Sequence, residues 1–105
     1  MFLKTVENVG FLQKALLLVG KKYNLLILDS LLQNKSKRRF NQLLKDIPNI
    51  NPRILSIRLK ELEKSGLLSK SLVLGTPVKT EYHLSDKAEE LAGIIENLKA
   101  WVQKQ

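Results

Sequence analysis

Cysteine is absent from the 105 residues. Disulfides, cysteine–zinc centres and redox sensing through a thiol are therefore excluded. Histidine occurs once, at His83, and a lone histidine without a second ligand does not make a metal site. Long hydrophobic runs are missing as well. Ala15–Val19 and Leu25–Leu28 are far too short to span a bilayer. The N-terminus lacks the basic start, long apolar core and cleavage-type end of a signal peptide. A cytoplasmic protein with no membrane association is the expectation. No paired carboxylates, glycine-rich phosphate loop or nucleophile–base constellation occurs, so neither enzyme activity, cofactor nor metal is expected. No internal repeat, low-complexity segment or dividing linker interrupts residues 1–105, which read as a single domain.

What the chain does hold is positive charge. The formal net charge is +8 and the pI near 9.9, which favours a polyanionic partner, nucleic acid ahead of an anionic membrane surface. The charge is concentrated. Residues 35–80 hold eleven basic and three acidic side chains, whereas residues 81–105 hold three basic and five acidic. A cationic middle beside an acidic end is the footprint of a directed binding face. Hydrophobic residues make up 44% of the chain, enough for one modest core, and domains of this size often gain stability by dimerising.

Local patterning places the elements. Phe2, Leu3, Val6, Val9, Leu12, Leu16 and Val19 recur mostly at three or four residues, predicting a helix open to interruption near Gly10 and ended by Gly20. Lys21–Gln33 predicts a helix apolar enough to be central, with Leu25, Leu28, Leu32 and Tyr23 or Leu31 on one face. Asn34–Lys37 reads as a loop, and Arg38-Arg39-Phe40 as a brief edge strand. Phe40, Leu43, Leu44 and Ile47 then predict a two-turn helix ended by Pro48.

The stretch from Ile50 to Leu68 is the best marked. Asn51 is a good N-cap, Pro52 suits the first helical position and Gly66 suits the end. Leu55, Leu59 and Leu62 form the inward stripe, while Arg53, Ser56, Ile57 and Lys60 occupy the opposite face. A buried stripe does not explain an outer face that is basic, small and apolar together. A short helix, a tight turn and a capped second helix make a helix-turn-helix pattern, and the outer face reads as one that enters a DNA major groove. Residues 67–74 and 78–84, joined by Gly75-Thr76-Pro77, predict a two-stranded hairpin, or wing. Ser85 caps a last helix whose stripe is Leu91, Ile94 or Ile95, Leu98, Trp101 and Val102. That much apolar surface either folds back on its own domain or pairs with a second subunit.

From about Ala15 to Trp101 the chain resembles the HxlR-type winged helix-turn-helix transcriptional regulators, with their MarR-like DNA-binding domain. The matching residues are Gly20-Lys21-Lys22-Tyr23, Arg39-Phe40-Asn41-Gln42-Leu43, Ile50-Asn51-Pro52-Arg53 with Leu55, Arg58-Leu59, Glu61-Leu62 and Gly66-Leu67, and Pro77 with Glu81-Tyr82 and Leu84. The resemblance implies a mainly α fold with a small antiparallel β-hairpin. It implies a homodimer on double-stranded operator DNA, with the second helix of the motif (about 51–65) in the major groove and the wing (about 67–84) on the backbone or minor groove. Groove-facing positions carried over are Pro52, Arg53, Ser56, Ile57 and Lys60. Terminal helices are the implied dimer contacts: Phe2, Val6, Val9 and Leu12 from one, Leu91, Ile94, Ile95, Leu98, Trp101 and Val102 from the other. Departures are Tyr23 for the usual tryptophan, Gln42 for glutamate, Asn51 for a serine cap, and no glycine in Ser85-Asp86-Lys87-Ala88. Some family members sense oxidants through an N-terminal cysteine, which this chain lacks.

The expected DNA contacts differ in kind. Arg53 can pair with guanine O6 and N7, or reach a phosphate or solvent instead. Ile57 suits a thymine methyl, or packs against Phe40 or Leu44. Ser56 can bond base or phosphate, and Lys60 phosphate. Arg38 and Arg39, with Lys37, can clamp phosphate. Lys70, Thr76, Lys79 and Thr80 put donors on the wing, and Asn51 caps the reading helix. Arg58 lies off the exposed face and is expected in an ion pair with Glu61 or Glu81. His83 is expected to be an exposed strand residue. Two other functions remain open: a general architectural DNA-coating protein, and a winged-helix protein–protein module. Nothing in the sequence names a small-molecule effector.

Overall fold

The computed structural model describes residues 2–105, with side chains from Asn8 onward. Helix α1 (Phe2–Val19) is continuous through Gly10, so the expected interruption does not occur. Gly20 follows its end, its amide donating to the Leu16 carbonyl at 2.8 Å, and a Cβ there would lie 2.6 Å from that oxygen, so the position has no room for a side chain. Among the described side chains of α1, Leu18 and Val19 at its end pack on the core. Val9, Phe11, Leu12, Leu16 and Leu17 are exposed.

Helix α2 (Asn24–Gln33) begins later than the apolar pattern predicts. Tyr23 precedes it in the left-handed region at φ 80°, and its hydroxyl donates to the Asn49 carbonyl, 3.3 Å away. The buried face of α2 is Asn24, Ile27, Leu28 and Leu31. Leu25 and Leu32 are only partly buried, and Leu26 faces out. The buried face is thus rotated by about one position from the stripe that the apolar spacing predicts. Asn24 is buried because its Nδ2 donates to the Leu18 carbonyl at 3.0 Å, tying α2 to the end of α1.

Strand β1 (Lys37–Arg39) starts one residue earlier than expected, and Phe40 opens helix α3 (Phe40–Asp46) instead of ending the strand. After the turn at Pro48, with Asn49 left-handed at φ 63°, comes helix α4 (Pro52–Lys64). Its C-terminus closes on Gly66 at φ 78°, where the Gly66 amide bonds Glu63 and the Leu67 amide bonds Leu62, each at 3.0 Å. This paired closure satisfies two orphan carbonyls and turns the chain into the sheet.

The wing is strands β2 (Leu68–Val73) and β3 (Lys79–Leu84). The sheet has three strands, in the order β1-β3-β2, and not the two expected. β1 pairs antiparallel with β3, Arg38 opposite Tyr82. Three extended residues carry no local sign of so distant a partner. Past Ser85 the expected single helix is divided into α5 (Asp86–Glu89) and α6 (Ala92–Gln103). Ser85 caps α5, accepting from the Ala88 amide at 3.2 Å. The Leu91 amide bonds the Ala88 carbonyl at 3.0 Å, an i,i+3 tightening that apolar periodicity does not register.

The core is where α2, α3, α4, the base of the wing and the start of α6 converge. Ile27, Leu28, Leu31, Leu43, Leu55, Leu59, Leu62, Leu67, Tyr82, Leu84, Ala88 and Ile95 are buried in it. Leu55, Leu59 and Leu62 are the stripe predicted for α4, and their burial fixes which face of that helix is left outside.

Candidate nucleic-acid interface

Helix α4 is positioned from both ends. Asn51 Oδ1 accepts from the Ile54 amide at 2.9 Å, and Pro52 follows as the first helical residue. The outer face then carries Arg53 and Lys60, both exposed, Ile57 at 39% exposure, and Ser56 half-buried. Neither Arg53 nor Lys60 forms an ion pair among the described residues. At 39% exposure, part of the Ile57 side chain is open to a partner.

Arg58 is engaged inside the molecule. Its Nη1 lies 2.7 Å from Glu61 Oε1, and its Nε donates to the Lys22 carbonyl at 3.1 Å. Lys21 pairs with the other Glu61 oxygen. The carboxyl of Glu61 is held below the usual carboxylate range first by Lys21 and then by Arg58. Of the two acids that Arg58 was expected to meet, Glu61 is the partner. Glu81 instead lies 3.2 Å from His83 Nε2. His83 is half-buried, with Nε2 also 3.0 Å from Ser71 Oγ, so it is not the freely exposed residue expected.

The arginines preceding α3 separate into two roles. Arg38 was expected at phosphate, but both its Nε and Nη2 bond Asp46, at 2.8 and 2.7 Å. This ion pair ties β1 to the end of α3 and offsets the charge of Arg38 within the fold. Arg39 is half-buried, and its amide donates to Gln42 Oε1 at 2.9 Å at the start of α3. With Lys45 it lines a cleft of about 380 Å³ whose other wall is Pro77, Val78, Lys79 and Thr80 of the wing. The cleft joins the first helix of the motif to the wing and is cationic on both sides. Asn41 and Lys45 line it too and were not anticipated. Their only signal in the sequence was an i,i+4 spacing that puts them on one face of α3. Lys70 and Thr76 are exposed farther along the hairpin.

The terminal helices carry the largest unburied apolar surface. Ile94, Leu98, Trp101 and Val102 of α6 are exposed, and Leu91 is partly buried. Ile95 points into the core at 5% exposure, so its expected place at a subunit contact is not available. On α1, Val9 and Leu12 are exposed as expected, and Phe11 and Leu17 join them. Those two lie off the stripe and make the helix apolar on more than one side, the mark of a helix that is covered by something. Phe2 and Val6, the other two expected contacts, fall outside the described side chains. Lys99 of α6 holds Asp29 of α2 at 2.9 Å, and this fixes how α6 lies on the core. Among the described residues no group of His, Asp and Glu side chains could hold a metal ion, and no helix is long and apolar enough to cross a membrane.

The HxlR-like helix-turn-helix family matches residues 18–105. The chain belongs to that family. The helix-turn-helix transcriptional regulator YvaP of Bacillus subtilis is 37% identical over 89 residues, covering 85% of this chain and 81% of YvaP. The regulator YodB of the same organism is 32% identical over 93 residues, 89% of this chain and 81% of YodB. Among solved structures, that of the helix-turn-helix regulator YtcD superposes with a TM-score of 0.79 at 32% identity, over 89% of this chain and 93% of YtcD. This HxlR-like chain is accordingly a transcriptional regulator of the helix-turn-helix type, and its relatives are regulators and not enzymes. Its architecture, mostly helical with a small antiparallel sheet, is the winged-helix fold of the MarR-like regulators.

Proposed function

We propose that this HxlR-like protein is a homodimer that binds operator DNA in a sequence-dependent way, with α4 in the major groove and the β2–β3 wing on the backbone or minor groove. The observation that carries this reading is the outer face of α4. Arg53 and Lys60 are exposed and without ion-pair partners among the described residues, while nearby Arg38 and Arg58 are both neutralised within the fold. In the first turn of the helix, Arg53 is placed to give a guanine two hydrogen bonds, a contact worth ~1–3 kcal/mol of discrimination. Ile57 beside it suits a thymine methyl, Ser56 a base or phosphate, and Lys60 a phosphate. Arg39, Lys70, Thr76, Lys79 and Thr80 supply sequence-independent backbone contacts.

The whole chain acts as one domain in this reading. Pairing of α1 and α6 with a second copy covers the apolar surface left by Val9, Leu12, Ile94, Leu98, Trp101 and Val102. Two copies related by a twofold axis set their α4 helices about one DNA turn apart, ~34–36 Å. The site of action is the cytoplasm, where the DNA lies. Gel shifts with the promoter of its own or a neighbouring gene, against random duplex at equal salt, test the reading. Tighter binding to the promoter supports it, and equal binding to both overturns the sequence-dependent part.

A further inference from the structure

The far end of the wing carries several aliphatic side chains, and the contacts proposed above make no use of them. Leu72, Leu74 and Val78 are 64%, 84% and 54% exposed, with Pro77 between the last two. Loop tips in water favour glycine, asparagine, aspartate and serine, so aliphatic side chains held out on a hairpin need a reason. Their surroundings narrow the choice of partner. No acidic side chain occurs from Lys64 to Thr80. Lys79 adjoins the tip, and Arg39 and Lys45 face Pro77 and Val78 across the cleft. A second copy of this chain meeting it tip to tip would set cation against cation. A fitting partner is apolar where it meets Leu74 and Val78 and anionic around them. The minor groove of duplex DNA can offer both, with sugar walls and, where a base step opens, the apolar faces of the bases, between two rows of phosphates. At about 6 Å wide it admits a narrow aliphatic tip but no helix.

We propose that Leu74, Pro77 and Val78 form a wedge that enters the minor groove beside the α4 site, partly unstacks one base step and bends the duplex. The proposal rests on the reading of α4 as the groove-reading helix. Pyrimidine–purine steps unstack most readily, so the wedge adds a sequence preference at a position that receives no hydrogen bond.

The test uses a short duplex recovered by the full-length protein from a random-sequence pool, with fluorophores at its two ends. Anisotropy reads affinity and energy transfer reads the bend. Wild type is expected to bend the duplex by ~20–90°. The doubly substituted Leu74→Ser, Val78→Ser protein, altered only outside the core, is expected to bind within about tenfold of wild type and leave the duplex near straight. Wild-type binding without a bend, or an equal bend by the double variant, overturns the wedge and leaves α4 as the reader. Failure to recover any duplex overturns both readings. Phosphatidylglycerol vesicles that retain wild type but not the double variant, with the bend unchanged, would assign the tip to a lipid surface and overturn the wedge.

Discussion

Arg38 and Asp46 face each other in a two-bonded ion pair, Nη2 to Oδ1 at 2.7 Å and Nε to Oδ2 at 2.8 Å. Ser30 of α2 donates to the same Oδ2 at 2.7 Å. One carboxylate thus joins α2, β1 and the last turn of α3. The pair ties the short helix α3 to β1, and it neutralises within the fold a cation that the sequence alone places at phosphate.

An acid response follows. The Asp46 carboxyl is held below the ordinary value of 3.8, chiefly by the Arg38 hydrogen bonds, with burial opposing and Ser30 assisting. A group whose pKa is lower in the folded than in the unfolded state stabilises the fold above the unfolded value, and that contribution fades as pH falls through the folded one. Wild-type stability is therefore expected to decline as pH drops below about 4. Asp46→Asn should begin about 1 kcal/mol less stable at neutral pH and lose less on acidification. Urea titrations at several pH values check this. Glu61, also held low, keeps part of the acid response in the variant.

Arg53 and Lys79 should fail in different ways. Arg53→Ala is expected to relax discrimination at one base pair by ~1–3 kcal/mol. Lys79→Ala should weaken all duplexes about equally and flatten the log–log salt dependence by about 0.9. Competition binding across a panel of single-base variants, repeated over a salt series, separates the two. The reverse pattern would reassign the roles.

The residues behind those variants differ in how readable they were. The cap, the inner stripe and the end of α4 were legible because Asn51, Pro52, the leucines and Gly66 act within one helix. The Arg58–Glu61 pair was legible for the same reason, at a spacing of i,i+3. Arg38–Asp46 was not, since the partners stand in different elements and only the fold brings them together. Tyr23 starts α2 late through a left-handed backbone stabilised by a contact to Asn49, and no local propensity announces it. The pairing of β1 with β3, and the cleft that faces Lys45 to the wing, are long-range in the same sense. The apolar period leaves Ile94 and Ile95 as alternatives for one stripe, and only the packing of α6 on the core decides that Ile95 is the buried one.

Gly66 sets where the wing leaves α4. Its φ of 78° is left-handed, yet nothing lies within 4 Å of a Cβ built there. The penalty for Gly66→Ala is therefore one of backbone conformation alone, about 1–2 kcal/mol. Gly66→Asn should lose less, since asparagine tolerates that region. Thermal melts of the two variants beside wild type give the order.

Oxidants should leave the protein's DNA binding unaltered. With no cysteine in the chain, there is no thiolate for diamide to convert to a disulfide. Treated and untreated protein are expected to have the same affinity for a recovered duplex and the same mobility on non-reducing gels. A diamide-dependent loss of binding would require a different reactive group.

Neighbouring isoleucines in α6 provide the sharpest separation of folding from assembly. Ile95 is 5% exposed inside the core, and Ile94 is 56% exposed beside the surface that carries Leu98 and Trp101. Ile95→Ala removes buried methyl groups and should cost about 2–5 kcal/mol of stability, since a packed core collapses only partly around the space left. Ile94→Ala leaves no cavity in the monomer, so its own fold should be little changed. If α6 pairs two copies, Ile94→Ala together with Trp101→Ser should raise the dimer dissociation constant by an order of magnitude or more. Sedimentation equilibrium over a range of concentrations measures that constant, and circular dichroism confirms that the doubly substituted chain remains folded. A folded variant that dimerises as tightly as wild type would show that this face of α6 is not where the subunits meet.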